Sequence, residues 1–222
     1  MDTPLTKAAG PSLNSRISAF LANPLVDKTF AVLACLPFLY IIYLRLRAGT
    51  LDIVRINICI QNLIVIVTML ARRTPVRVTI NPWFWLLAFI ATYWLFLTAT
   101  VTAPGTAIAP RWFSVGLSWF GLAITVYARL SLGRNIGLVP AQRQLVTTGA
   151  YGLVRHPIYT SMFITYLSIA LLSYSPGNIV IIGLGVIWFV IKSFIEEGYL
   201  AADPEYAEYM RRVRWRWLPG II

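Results

Sequence analysis

Long apolar runs alternate along the chain with short segments rich in Arg, Gly and Pro. Six of the runs approach the roughly 20 residues that a helix needs to cross a bilayer core about 30 Å thick. They cover residues 30–44, 53–70, 83–101, 112–130, 158–173 and 179–195. The first and fifth are short for a full crossing, so tilt or local thinning is expected there. Two flanking stretches have amphipathic spacing instead. Leu13, Ile17, Phe20 and Leu21 recur opposite Asn14, Ser15 and Ser18, which predicts a short helix lying in the membrane interface. Near the C-terminus, Asp203 can cap a helix and Pro204 suits its first position. Tyr206, Tyr209, Met210 and Val213 form its apolar face, and Arg211 and Arg212 lie at the end that favours cations.

Composition turns this pattern into a class. Of 222 residues, 58% are hydrophobic and 12% charged, against about 45–50% and about 25% in soluble domains. An all-α polytopic integral membrane protein with about six transmembrane helices is expected. The net charge of +11 does not imply nucleic acid, because the cations lie between apolar runs and form no single solvated patch. With six spans and a cytoplasmic N-terminus, the inner segments hold fifteen cations. These are Lys7, Arg16, Lys28, Arg72, Arg73, Arg77, Arg129, Arg134, Arg143, Arg155, Lys192, Arg211, Arg212, Arg214 and Arg216. Only Arg45, Arg47, Arg55 and Arg111 fall outside. Fifteen against four places both termini in the cytoplasm. The stretch before residue 30 is too polar for a signal peptide, so the first span is expected to serve as insertion signal. Cys35 and Cys59 both sit in apolar runs and His156 is the one histidine, which argues against a disulfide framework or a metal centre.

The chain divides into an anchor half, residues 1–130, and a chemical half, residues 131–222. The longest connection, residues 131–157, carries four glycines, Arg134, Arg143, Arg155 and His156, with Val139, Leu145, Val146 and Tyr151 as apolar anchors. It has no Walker or GxGxxG pattern. It ends in Arg155-His156-Pro157-Ile158-Tyr159, which gathers cationic and aromatic groups at a helix N-terminus suited to an anion. Taken alone, Arg155 and Tyr159 also fit an interfacial belt. Glu196-Glu197 closes the sixth run, with Lys192 one turn earlier to pair with Glu196. Carboxylates are unfavourable at a helix C-terminus, so a partner is expected. The turn at Ser175-Pro176-Gly177-Asn178 folds the last two runs into an antiparallel hairpin, which brings the Glu pair back beside Arg155 and His156. Asn57 and Gln61, one turn apart, are expected as interhelical glue.

Together these parts resemble the membrane-embedded methyltransferase family that includes isoprenylcysteine carboxyl methyltransferase and the phospholipid methyltransferases. The resemblance runs from about Leu132 to Pro219, through Leu145-Val146-Thr147-Thr148-Gly149-Ala150-Tyr151, Arg155-His156-Pro157-Ile158-Tyr159, Glu196-Glu197-Gly198-Tyr199-Leu200, Tyr206, Tyr209 and Leu218-Pro219. Thr160-Ser161 stands where glycine is common after the tyrosine, and Asp203-Pro204-Glu205 replaces a usual Phe-Gly. The resemblance implies S-adenosylmethionine as cofactor, in a C-terminal pocket facing the cytoplasm. Leu145, Val146, Tyr151, His156, Pro157, Tyr159, Glu196 and Glu197 are then expected to bind it. Arg155, Glu196 and Glu197 are the expected catalytic residues, toward a carboxylate, thiol or amine on a lipophilic acceptor delivered by the bilayer. If the source is bacterial, the plasma or inner membrane is expected. Two alternatives stand beside this one. A sterol-type reductase would place the 2′-phosphate of NADPH on Arg211, Arg212, Arg214 and Arg216, against the repulsion of the Glu pair. A non-catalytic scaffold would leave the motif an inherited shell.

Overall fold

The computed structural model describes residues 12–47, 49, 53–101 and 105–221, and among these it holds eight α-helices, a single 3-10 turn and a two-stranded ribbon. In order they are α1 (Leu13–Leu21), α2 (Pro24–Arg47), α3 (Ile53–Leu70), β1 (Arg77–Val78), α4 (Pro82–Val101), α5 (Arg111–Leu132), β2 (Ala141–Gln142), the 3-10 turn (Gly149–Gly152), α6 (Pro157–Leu172), α7 (Pro176–Leu200) and α8 (Pro204–Arg212). Lys7 and most of the polar N-terminal stretch lie outside the described residues.

Helices α2 to α7 occupy the six predicted apolar runs. Among the described residues, α2, α5 and α7 are long and apolar enough to cross a membrane. The 16 residues of α6 reach only about 24 Å at 1.5 Å per residue, as its short apolar run implies. Helix α2 is longer than the sequence suggested. It begins at Pro24, where the missing N–H costs nothing, and Asn23 accepts the Leu25 amide at 2.9 Å. Asp27 and Lys28 thus lie inside α2. Asp27 is buried because Arg72, just past α3, reaches it at 2.6 Å, and Lys28 donates to the carbonyls of Leu70 and Arg72.

Small and hydroxyl-bearing residues set the tightest contact, between α5 and α6. Ser114, Ser118, Gly121, Thr125 and Ala128 recur on one buried face of α5. A Cβ at Gly121 would lie 2.9 Å from Thr165 Oγ1, so only glycine admits this approach. Thr125 donates to Ser161 Oγ at 2.8 Å, and Ser168 donates to the Ser114 carbonyl at 2.7 Å. Elsewhere α2 packs on α3, α4 on α7, and α3 on α5.

The long connection is fastened to the segment between α3 and α4. β1 pairs antiparallel with β2, matching Arg77 with Gln142 and Val78 with Ala141. Arg73 N–H donates to the Arg134 carbonyl at 2.7 Å, and Arg134 and Arg143 donate back to the carbonyls of Ala71 and Arg73. On the same side α1 uses Ser18 to donate to the Val78 carbonyl, so its polar face meets protein. Leu13 and Phe20 are left 72% and 64% exposed, the arrangement expected of an interfacial helix.

Candidate active site

Pro157 occupies the first position of α6 and His156 the capping position, so the helix begins at the predicted tripeptide. The chain after α8 then runs across this helix start. Arg155 and His156 donate their amides to the carbonyls of Trp215 and Arg216 at 2.9 and 2.8 Å, and Thr160 Oγ1 donates to the Trp217 carbonyl at 2.5 Å. The last turn of α7 returns to the same place, as the predicted hairpin requires.

Glu197 is the hub of this convergence. Its Oε1 accepts from Arg155 Nε at 2.7 Å and lies 3.0 Å from His156 Nε2; its Oε2 accepts from Arg216 at 2.7 and 3.0 Å. Arg155 also donates to the carbonyls of Val213 and Arg214 at 2.8 and 2.7 Å. Both Arg155 and Glu197 are buried. Charge-assisted bonds of this number fix position firmly, because each ion removed from water is answered by several partners.

Glu196, one residue earlier, points to a different environment. Its Oε2 accepts from Tyr159 at 2.6 Å, and Lys192 Nζ lies 3.8 Å from its Oε1. The Tyr159 ring stacks on His156, with centroids 5.1 Å apart and planes within 5°. Glu196 borders a cavity of about 270 Å³, close to the lower end of the roughly 300–1,000 Å³ usual for small-molecule sites. Of the residues expected at the site, Leu145, Val146, Tyr151, Arg155, His156, Tyr159 and Glu196 line this cavity. Pro157 and Glu197 stand behind the wall rather than on it.

The long connection forms one side of the cavity. All twelve residues from Asn135 to Val146 line it, which means that the main chain itself runs along the wall. The 3-10 turn carrying Tyr151 is held by Ser131 Oγ, which accepts the Ala150 amide at 3.1 Å. Gly149 enters that turn at φ 61°, and a side chain there would collide with Ser131. Tyr209 donates to the Tyr151 carbonyl at 2.8 Å and packs edge-on against Tyr206, so α8 closes the cavity from below. Burial holds the phenols of Tyr151, Tyr206 and Tyr209 above the usual tyrosine range. It also lowers the Arg143 guanidinium to about 10; repulsion by Arg72 adds to this and Asp27 opposes it.

Sequence reasoning missed part of the wall. The cavity extends inward to Phe38, Gln61 and Thr92, each near the middle of its helix, and passes Arg129 and Lys192. Counted as loop cations, Arg129 and Lys192 are instead 7% and 5% exposed, within helices α5 and α7. Their place inside apolar runs was the available signal, since intramembrane cations are costly and usually face a cavity or a ligand. Asn57 and Gln61, expected as interhelical glue, bond to each other within α3 at 2.6 Å, and Gln61 also faces the cavity. Arg216, counted among the inner cations, belongs to the Glu197 cluster. Among the described residues no group of His, Cys, Asp and Glu is arranged to hold a metal ion.

The described residues thus form a mostly helical structure with apolar membrane-length helices and a cavity beside a buried carboxylate cluster. Residues 110–203 match the model of the family described as phospholipid methyltransferase. The match runs from the start of α5 through the long connection and the α6–α7 hairpin to Asp203. It agrees with the resemblance read from the motifs. No curated protein matches the chain.

Proposed function

We propose that the protein transfers a methyl group from S-adenosylmethionine to a lipophilic acceptor that enters from the bilayer. One observation carries this reading: a single cavity joins the Glu196–Tyr159–His156 cluster to apolar positions on α2 and α3, among them Phe38 near the middle of its helix, Val65 and Met69. A polar, amphoteric cofactor and a greasy acceptor thus share one cavity.

The donor set fits the cofactor. Glu196 offers a carboxylate, already oriented by Tyr159, to an ammonium group or to ribose hydroxyls. The main chain of residues 135–146 offers peptide groups along one wall, and Leu145, Val146 and Tyr151 offer apolar and aromatic surface for a base. When bound, S-adenosylmethionine supplies an electrophilic methyl group on a sulfonium. The protein's part is to align acceptor and methyl and to keep water out, which accounts for much of the acceleration in such displacements. Arg155 and Glu197, expected to act directly, are proposed here to position the site. Their polar atoms bond to one another and to the C-terminal segment, and so hold His156 and the start of α6 in place. For an amine acceptor, Glu196 is the carboxylate on the wall able to take the proton. The site faces the cytoplasm in this reading, as the cation distribution implies.

A reductase reading loses two of its four phosphate-binding cations. Arg216 is bound to Glu197, and Arg211 pairs with Glu208 on the surface. Isothermal titration of detergent-purified protein with S-adenosylmethionine and NADPH in parallel tests the proposal. Saturable binding of the first alone is expected, weakened in Glu196→Gln and His156→Ala. Binding of NADPH alone would move the chain to the reductases, and binding of neither would leave a scaffold.

A further inference from the structure

We infer that α1 is a strut seated in the bilayer surface, and that this seat holds the ribbon wall of the cavity, so that the lipid surface is a structural partner of the site. The strut lies outside residues 110–203 and does not depend on the methyltransferase reading.

Leu13, Ile17 and Phe20 share one face of α1, and all three are exposed. Arg16 flanks that face and is exposed as well, so its stem can lie along the apolar surface while the guanidinium reaches lipid phosphates. What covers the face follows from the chain itself. Only Ala22 and Asn23 separate α1 from α2, a helix long and apolar enough to cross a membrane. The three steps from Leu21 to Pro24 reach about 11 Å at most, which ties α1 to the height at which α2 meets the bilayer. The turn is fixed as well, since Asn23 N–H donates to the Phe20 carbonyl at 3.0 Å and Asn23 Oδ1 accepts the Leu25 amide. An exposed apolar face anchored there suits the headgroup and acyl boundary.

The other side of α1 holds the wall. Ser18, about 130° round the helix from the apolar face, bonds twice to one residue of β1. Its Oγ donates to the Val78 carbonyl at 2.9 Å and accepts the Val78 N–H at 3.3 Å. Thr79 donates its N–H across the ribbon to the Pro140 carbonyl, so the peptide groups of Val78, one residue earlier, point to the edge that β2 does not cover. Val78 is buried, and Ser18 answers this edge in place of a third strand. Leu21 and Ala22 pack against the cluster of Val78, Ala88 and Val139. Val139, Pro140 and Ala141 in turn line the cavity. A two-stranded ribbon is marginal by itself, so whatever holds its outer edge decides how firmly the wall stands.

The test uses the purified chain in nanodiscs of phosphatidylcholine and phosphatidylglycerol. Phe20→p-benzoylphenylalanine should capture lipid on irradiation, and the same group at the exposed Asn14 should capture little; equal capture at both, or none at residue 20, overturns the seat. Hydrogen exchange read by mass spectrometry tests the coupling. S18A cuts the bond to Val78, and L13Q/F20Q weakens only the seat. Each should speed exchange of residues 136–146 by about fivefold or more, with α5 and α6 unchanged and S18T close to wild type. Unchanged exchange in both variants overturns the inference. A response to S18A alone does so too, because the wall would then need α1 but no bilayer, and so does faster exchange throughout the chain, which would make α1 a general part of the fold. S-adenosylhomocysteine affinity should fall together with protection of the wall. A wild type that binds none of it sinks the methyltransferase reading, while lipid capture and exchange still decide the strut.

Discussion

The two ends of the cavity handle charge in opposite ways. Where α6 begins and α7 ends, the carboxylate of Glu197 is answered by Arg155, His156 and Arg216, and the arginines are answered further by backbone carbonyls. About one turn inward along α7, Lys192 and the nearby Arg129 face a cavity with too few acceptors between them. The first cluster is complete without a ligand and acts as a staple joining α6, α7 and the C-terminal segment. The second is incomplete, and incomplete buried charge is where a membrane protein most needs something from outside itself.

The sharpest way to break this contrast is to remove a charge from each cluster. Glu197→Ala strands two arginines, and a loss of about 3–5 kcal/mol is expected, read as a large fall in Tm in detergent. Arg129→Met removes a charge that nothing balances. It is expected to be neutral or to stabilise by about 1–4 kcal/mol, and a strong fall in Tm would show that Arg129 is a structural ion after all. Between the clusters, Glu196→Gln should leave Tm almost unchanged and weaken S-adenosylmethionine by about ten- to a hundredfold, the range for one lost hydrogen bond to a charged group. Equal damage to folding and binding would make Glu196 part of the staple.

Smaller effects probe the frame. Gly121→Leu forces α5 away from Thr165 and should cost about 1–3 kcal/mol by overpacking, with Gly116→Leu, where nothing lies within 4 Å, as the mild control. The smallest effect is alkaline. The phenols of Tyr151, Tyr206 and Tyr209 are raised by burial, so the unfolded chain ionises first, near pH 10. Their contribution is therefore intact below about pH 10 and lost as pH rises toward the higher folded values. Absorbance at 295 nm should show phenolate appearing late, together with unfolding; early ionisation in the folded protein would mean that α8 does not seal the cavity.

Much of the frame could be read from the pattern of residues. Apolar runs gave the positions of α2 to α7, amphipathic spacing marked α1, a capping aspartate marked α8, and the Pro-Gly turn brought the Glu pair to His156. These features are local, governed by helical periodicity and by the conformations that Pro, Ser and Asp prefer. The start of α2 was misplaced because Asp27 and Lys28 look like loop residues until Arg72 and the end of α3 are known. Arg129 and Lys192 were counted as topological markers for the same reason, since burial is a property of neighbours and not of spacing.

By itself, then, the sequence determined the class: an apolar helical chain whose second half carries the marks of membrane methyltransferases. Only the tertiary structure decided which of two adjacent glutamates is satisfied and which faces the cavity. Glu196 and Glu197 have the same chemistry and are neighbours in the chain, but successive residues on a helix point about 100° apart. That angle aims Glu197 at Arg155, His156 and Arg216, brought from the long connection and the C-terminus, and aims Glu196 at Tyr159 and the open space. Long-range packing, which no local pattern encodes, made one a structural ion and left the other at the candidate site.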